Sequence, residues 1–281
     1  MKQFINSLLI LSIIPILSCT DVIDVEVPQG PTRLVIEASL DWEKGTAGNE
    51  QTIRLSKSTP YFDSNAFVPA EGAQVSVTNL SSSVTYIFTD QGDGEYRTSS
   101  FEPVMGQSYS LTIQYDGEIY NAFETMTPVT NIIDIYQSRE DGFDDEALEA
   151  HILFNDPDEE SNNYLFKFKR AGDLLPVLEA GDDKFINGNQ IDWWYEIMED
   201  EDQNVVPFEP GDILDINMYG ISRPYYDYIK VMISQMGNSG PFTPVPAAVK
   251  GNCINRTNPE NFPYGYFRLS EMVKERYIFT E

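Results

Sequence analysis

Histidine and cysteine are scarce in this 281-residue sequence, which contains one histidine, His151, and two cysteines, Cys19 and Cys253. One histidine excludes an HExxH motif and a zinc site built on histidines, and two cysteines exclude a cysteine-rich zinc site. The sequence also lacks a GxSxG nucleophile elbow, a GxGxxG fingerprint and a GKS/T phosphate loop. No enzyme class is therefore indicated, and His151 is expected to be an ordinary, partly exposed residue.

Positive charge is also in short supply. The chain has 18 lysines and arginines against 45 aspartates and glutamates, so its formal net charge is −27. Phosphate backbones and anionic lipid headgroups repel so acidic a body. Nucleic acid is therefore not an expected partner, and any contact with a membrane should come from an anchor alone.

A long apolar run occurs at the N-terminus. Residues 4–17 follow Lys2 and have the length of a signal-peptide core, short of the about 20 residues that a membrane-spanning helix needs. Ser18 and Cys19 come next, and the pattern resembles a bacterial lipobox, in which the cysteine sulfur is acylated and the chain is cut before it. A cleaved secretory leader or a buried apolar helix are the alternatives. We therefore predict a signal peptide over residues 1–18, lipidation of Cys19 and a linker over 19–30.

Two consequences follow from a lipid at Cys19. Cys253 then has no partner for an intramolecular disulfide, and we expect it to be a small buried residue. Asp21, Asp24 and Glu26 resemble the acidic export signals of Bacteroidota surface lipoproteins, although valine and isoleucine separate them. The expected location is the outer membrane, with the surface favoured over the periplasmic side.

Residues 31–128 alternate apolar and polar side chains in about seven short runs. The clearest run, residues 109–115, is followed by Asp116 and Gly117, the residue pair that a type I′ hairpin turn requires, and by a return run over 118–125. Short alternating runs with regular turns are typical of an antiparallel sandwich. This region is predicted to be an immunoglobulin-like β-sandwich, in a chain that is mostly β.

Residues 129–281 are predicted to form a second β-rich domain with one short helix near 223–236. Ser222 can cap this helix, and an apolar stripe recurs along it at helical spacing. Residues 151–154 and 164–169 are interpreted as a hairpin around Asp156-Pro157-Asp158, and residues 265–269 and 273–280 as a final strand pair.

Several segments together resemble a family of Bacteroidota lipoproteins known as domain of unknown function 4249. They include residues 34–37 (LVIE), 72–77 (GAQVSV), 94–96 (GEY), 109–113 (YSLTI), 154–157 (FNDP), 226–228 (YDY) and 264–267 (YGYF). Cys253 departs from the family pattern, since a plain aliphatic residue is expected there. The resemblance implies an outer-membrane lipoprotein whose gene tends to lie beside a TonB-dependent receptor, in a family for which no catalytic residues are established. No cofactor is expected.

Three aromatic residues are candidate contacts to a ligand or partner: Trp193, Trp194 and Tyr226. Consecutive residues of a strand face opposite sides, so one of the tryptophans should lie in the core and the other should be more exposed. On the helix, Tyr225 and Tyr228 are expected in the core, which would leave Tyr226 freer.

Calcium is the metal that the acidic residues best suit. Asp156, Asp158 and Glu160 have the alternate spacing of a loop site, but Ser161 and Lys167 stand where an EF-hand loop needs Gly and Glu. A solvated acidic turn is the simpler interpretation.

These observations favour a non-catalytic protein over an enzyme. The leading prediction is a lipid-anchored accessory or capture subunit of a TonB-dependent transporter. The alternative is a stand-alone glycan-binding or adhesion module on the cell surface. A hydrolase that uses two carboxylates is the least favoured reading.

Overall fold

The computed structural model describes residues 30–60, 67–158, 161–200, 205–236 and 248–281. Cys19, the signal peptide and nearly all of the linker lie outside this part of the chain. Residues Thr32–Glu281 form one compact unit. Its elements are β1 (Leu34–Glu43), β2 (Gln51–Lys57), β3 (Val68–Pro69), β4 (Gln74–Asn79), β5 (Thr85–Asp90), β6 (Glu95–Thr98), β7 (Ser108–Tyr115), β8 (Glu118–Thr125), β9 (Ile132–Ser138), β10 (Glu149–Asn155), β11 (Asn163–Arg170), β12 (Val177–Asp182), β13 (Gln190–Glu196), β14 (Ile213–Gly220), α1 (Arg223–Met236), β15 (Ile254–Asn255) and β16 (Tyr264–Ile278).

The predicted fold class, mostly β with one short helix, is confirmed. Thirteen strands form one sheet in the order β12-β11-β14-β16-β1-β2-β6-β5-β4-β7-β8-β15, with β3 paired to β2. The remaining three form a small sheet in the order β13-β10-β9. Within the described residues, no helix is long and apolar enough to cross a membrane.

The first core lies inside the curl that the large sheet makes between β1 and β8. Alternate residues of β1, Leu34, Ile36, Ala38 and Leu40, are buried there against the inward faces of β4 and β7. Cys253 also lies in this core, as expected, and burial raises the pKa of its thiol to about 12. Strands of the first half thus form the predicted immunoglobulin-like sandwich.

The β7–β8 hairpin turns at the predicted residues. Asp116 and Gly117 both have positive φ angles, 52° and 77°, as a type I′ turn requires. The turn brings Tyr115 opposite Glu118 and sets the register of all eight paired positions of the hairpin.

The last strand, β16, is one continuous strand, so the predicted strand pair over 265–280 is wrong. Its first part pairs in parallel with β1, and its second part pairs antiparallel with β14. Gly265 permits the close approach to β1, because a Cβ atom there would lie 2.0 Å from the carbonyl oxygen of Ile36. Phe267 and Leu269 enter the first core and Phe279 enters the second. Met126 belongs to the first core and Val129 to the second, so the chain passes from one core to the other near the predicted boundary at residue 128. The large sheet contributes strands to both cores.

The second core lies between the small sheet and the strands β11, β14 and β16. The predicted hairpin between residues 151–154 and 164–169 is wrong: β10 pairs with β9 and β13, and β11 pairs with β12 and β14. The segment after β10 instead crosses from one sheet to the other. Phe154 and Phe166 therefore meet across the core, with ring centroids 6.0 Å apart.

The helix α1 begins and ends where the sequence predicts. Ser222 caps it, since its Oγ accepts a hydrogen bond from the amide of Tyr225 at 3.3 Å and donates one to Glu124 at 2.9 Å. The buried face of the helix contains Tyr225, Tyr226 and Ile229, which form a third cluster with the outward residues of β11 and β14.

Candidate functional site

The outer face of the small sheet holds two buried ionisable side chains, Glu149 and His151. Side chains alternate along β10, so Ala150, Ile152 and Phe154 enter the second core while Glu149 and His151 face outward. The register of the sheet places His151 between Tyr136 of β9 and Trp194 of β13.

His151 is only 1% exposed, so the expectation of a partly exposed histidine is wrong. The ring of Tyr136 stacks on it with centroids 4.6 Å apart and planes 13° from parallel. Its Nδ1 lies 2.9 Å from Oδ1 of Asp192. Its Nε2 lies 3.2 Å from Oε1 of Glu149 and 3.9 Å from Oδ2 of Asp141.

The charge state of this histidine reflects a balance of two effects. Burial is the largest single effect and would lower the pKa of His151, but its contacts with Asp192 and Glu149 together raise that pKa above its ordinary value. The hydrogen bond to Asp192 likewise raises the pKa of the Tyr136 phenol to about 12.

Residues 139–148, the segment between β9 and β10, close over this face. The carboxylate of Glu149 is also 1% exposed, and its Oε1 accepts hydrogen bonds from the backbone amides of Glu140 and Asp141, each at 2.9 Å. Burial would raise the pKa of Glu149, but these amides and His151 outweigh burial and lower it. The segment is therefore held down by a buried carboxylate.

Glu196, at the end of β13, brings another carboxylate to the same place. Its Oε2 accepts a hydrogen bond from the amide of Phe143 at 2.7 Å. A Cβ atom at Gly142 would lie 2.5 Å from this Oε2 and 2.6 Å from Oε2 of Glu149. The two carboxylates thus converge beneath the backbone of Gly142, and a side chain at this position would have to displace them.

A metal ion is the ligand that suits these groups. Asp141, Glu149 and His151 can each offer one ligand atom, and these atoms lie within 4.8 Å of one another. In the described part of the chain, no other group of three such residues has this property. Of the calcium candidates, Asp158 is exposed and Glu160 lies outside the described residues. Asp156 is buried and accepts hydrogen bonds from the Tyr164 hydroxyl and the Gly188 amide.

The paired carboxylates of Glu149 and Glu196 do not suit a glycoside hydrolase. Two such groups must flank a sugar ring, but Glu149 is buried and the backbone of Gly142 occupies the space above both. Glu149, at 1% exposed, is therefore not placed to reach a sugar ring.

The two tryptophans face opposite sides of β13, as expected. Trp193 packs against Phe166 in the second core, with centroids 4.7 Å apart, and donates a hydrogen bond to Glu179 at 2.8 Å. Trp194 lies on the outer face and meets the edge of Phe143, a residue that is 77% exposed. Of the two tryptophans, Trp194 is the one placed for contact with a ligand.

The expectation that Tyr226 is freer than Tyr225 and Tyr228 is wrong. Only 4% of Tyr226 is exposed, and Arg223 and Lys230 lie over its ring. Tyr228 is less buried than Tyr226.

An exposed apolar patch lies at one end of β11. Leu174 and Leu175, in the connection from β11 to β12, are 89% and 71% exposed, and Val206 is half exposed. Arg170 places Val206 near the connection that carries the two leucines. It forms an ion pair with Asp173, the residue before Leu174, and donates a hydrogen bond to the Val206 carbonyl at 2.9 Å. We call Leu174, Leu175 and Val206 the apolar tip.

Comparison with known families was decisive on one point. The sequence matches the profile of DUF4249, a domain of unknown function, over residues 20–276. The chain belongs to the DUF4249 family. This confirms the resemblance derived from the separate motifs, and it assigns no activity.

Structural likeness to solved proteins is remote. A two-domain fibronectin type III segment of chicken tenascin is 12% identical, with 61% of this chain and 85% of that chain covered and a TM-score of 0.22. The FN1–FN3 domains of chicken CNTN1 are 11% identical, with 66% and 62% covered and a TM-score of 0.26. A DUF4785 family protein of Legionella pneumophila is 9% identical, with 67% and 52% covered and a TM-score of 0.24. No functionally curated protein matches the DUF4249 chain.

Sequence reasoning missed the group around His151. Its members are spread from residue 141 to residue 196, and only the pairing of β10 with β13 brings them together. The one available signal is the alternation of side chains along β10, which puts Glu149 and His151 on the same face of the strand.

Proposed function

We propose that this DUF4249 protein is a non-catalytic lipoprotein, anchored to the outer membrane through Cys19, that serves as an accessory or capture subunit of a TonB-dependent transporter. The apolar tip is the observation that carries the proposal. Large apolar side chains exposed together mark contact surfaces, because water is displaced from them favourably.

A protein is the partner that fits the apolar tip. The formal net charge of −27 opposes insertion of the tip among anionic lipids, whereas an uncharged protein groove accepts leucine side chains. The lipid would confine the protein to the membrane surface, and the tip would then select the transporter there.

Co-purification tests this proposal. The full-length protein is extracted from outer membranes with detergent, and its partners are identified by mass spectrometry. We expect one large barrel protein to accompany the wild type and to be lost with Leu174→Ser/Leu175→Ser. Ile87→Ser is the matched control, because Ile87 is an exposed apolar residue of β5 in the first half of the chain.

The anchor has its own test. Labelling with a fatty acid should modify the wild type and should not modify Cys19→Ala. An unlabelled wild type would contradict the anchor, and a labelled protein that brings down no barrel protein would contradict the partner.

A glycan-binding module is the second candidate, and the aromatic pair of Phe143 and Trp194 favours it. Their rings lie 5.4 Å apart at 74°, and the face of an exposed aromatic ring such as Phe143 can stack on a sugar. A glycan array should then lose its signal with Trp194→Ala. If the array is blank for the wild type, or equal for the variant, this candidate fails.

A further inference from the structure

We propose that Asp141, Glu149 and His151 bind one divalent transition-metal ion, Zn²⁺ or Mn²⁺, on the outer face of the small sheet. The proposal does not depend on the transporter partner or on the lipid anchor. It rests on the spacing of the ligand atoms, the orientation of the histidine and one buried, unpaired oxygen of the neighbouring Glu196.

The spacing of the ligand atoms suits a small ion. Ligands that hold an ion tetrahedrally at about 2.1 Å lie about 3.4 Å from one another. The Nε2 atom of His151 lies 3.2 Å from a Glu149 oxygen and 3.9 Å from an Asp141 oxygen. A shift of a few tenths of an ångström brings all three to bonding distance of one point.

The histidine is oriented as metal-binding histidines are. Metal ligands of this type almost always give their second ring nitrogen to a carboxylate or carbonyl, which fixes the ring and its tautomer. Oδ1 of Asp192 lies 2.9 Å from Nδ1 of His151, and Asp192 also accepts a hydrogen bond from the Tyr136 hydroxyl. Nε2 is thereby directed at Glu149 and Asp141.

An unpaired carboxylate oxygen beside the site supplies an independent observation. A Cβ atom at Gly142 would lie 2.6 Å from Oε2 of Glu149 and 2.5 Å from Oε2 of Glu196, so the two carboxylates lie close together. Oε1 of Glu196 is buried and has no hydrogen-bond partner among the described residues. Buried carboxylate oxygens are costly without a partner, and a cation satisfies them.

The charges at this face point in the same direction. Asp141, Glu149 and Asp192 surround a single imidazole, so even a protonated His151 leaves an excess of negative charge. A divalent ion offsets that excess.

The chemistry of the ligands selects the metal. Calcium and magnesium prefer oxygen ligands alone, whereas an imidazole nitrogen with carboxylates suits zinc or manganese. The ion would fasten residues 139–148 to β10. It would thereby hold Phe143 against Trp194.

The test is metal binding by the full-length protein in detergent after dialysis against a chelator. Zn²⁺, Mn²⁺ and Ca²⁺ are added separately, bound metal is counted by mass spectrometry, and Co²⁺ is used as a visible-absorption probe of ligand geometry. We expect one Zn²⁺ or Mn²⁺ per chain, undisturbed by equimolar Ca²⁺. Asp141→Asn and Glu149→Gln should each weaken binding at least 10-fold.

Two features of the design separate loss of a ligand from loss of the fold. Asp141 is 65% exposed, so its replacement leaves the core intact, as far-ultraviolet circular dichroism of the metal-free variant will show. Asp145→Asn is the matched control, since this exposed residue of the same segment loses the same charge. The proposal is overturned if the wild type binds neither ion, if Ca²⁺ displaces them, or if Asp141→Asn binds as tightly as Asp145→Asn.

Discussion

Arg268 of β16 donates a hydrogen bond to Asp41 of β1 from a fully buried guanidinium, with Nη2 2.5 Å from Oδ1. Its Nε and Nη1 have no hydrogen-bond partner among the described residues. The rings of Tyr219 and Tyr225 lie 4.7 and 5.1 Å from the guanidinium carbon instead. The buried positive charge of Arg268 is therefore stabilised by one carboxylate and by the faces of two aromatic rings.

Removal of the carboxylate should be costly. In Asp41→Asn, the arginine stays buried without a counter-charge, and we expect the free energy of unfolding to fall by about 3 kcal/mol. Asp41→Asn/Arg268→Met should recover much of that loss, because the buried charge is gone. Urea denaturation at pH 7 measures both.

The exposed pair of Arg223 and Asp227 is the control for this prediction. Asp227→Asn should change the free energy of unfolding by less than about 0.5 kcal/mol, since surface ion pairs contribute little. Equal losses in Asp41→Asn and Asp227→Asn would contradict the account of Arg268.

The two tryptophans should differ in their effect on stability. Trp193→Ala opens a cavity beside Phe166 and removes the hydrogen bond to Glu179, so we expect a loss of about 3 kcal/mol or more. Trp194→Ala on the outer face should cost about 1 kcal/mol or less. Thermal denaturation of the two variants tests this prediction. If Trp194→Ala were the more destabilising change, Trp194 and not Trp193 would face the core.

Glu179 should give the protein a pH-dependent weakness. Burial raises its pKa above the ordinary value of 4.5, against the opposing effect of the Trp193 hydrogen bond. The folded protein therefore binds this proton more tightly than the unfolded chain. The contribution of Glu179 to stability falls as the pH rises from about 4.5 through the folded pKa.

The substitution Glu179→Gln removes this effect and keeps an acceptor for Trp193. The melting temperature of the variant relative to wild type should rise between pH 4.5 and neutrality. Glu37→Gln, at an exposed residue of β1, is the charge-matched control. The raised pKa of Glu179 would be refuted if the difference in melting temperature between Glu179→Gln and wild type did not change with pH. An equal change for Glu37→Gln would refute it as well.

The β7–β8 turn should distinguish its two central residues. Gly117→Ala forces a side chain to a φ angle of 77°, and we expect a loss of about 1 kcal/mol. Asp116→Gly should be nearly neutral, because glycine tolerates the 52° found at that position. Chemical denaturation of both variants makes the comparison, and a Gly117→Ala protein as stable as Asp116→Gly would argue against a type I′ turn.

Local signals in the sequence were sufficient for local structure. The Asp116-Gly117 turn and the helix 223–236 were predicted at their observed positions, because turn chemistry and capping act over a few residues. The outcome for Tyr226 shows the limit. The helix period was right, but the rotation of the helix depends on contacts with β11 and β12 that are distant in the sequence.

Pairing between distant strands could not be predicted. Both sides of the turn at Asp156 alternate as a hairpin would, yet the strands belong to different sheets. His151 illustrates the consequence for function. Its neighbours Asp192 and Glu196 come from β13, and no local pattern ties that strand to β10.

The course of β16 has a consequence for biosynthesis. Among the described strands β16 is the last to be translated, yet Phe267 and Leu269 within it complete the first core, and Phe279 just after it completes the second. A nascent polypeptide therefore cannot close either core while residues 264–279 are still inside the ribosome. Termination of translation before residue 264 would leave both halves open at once.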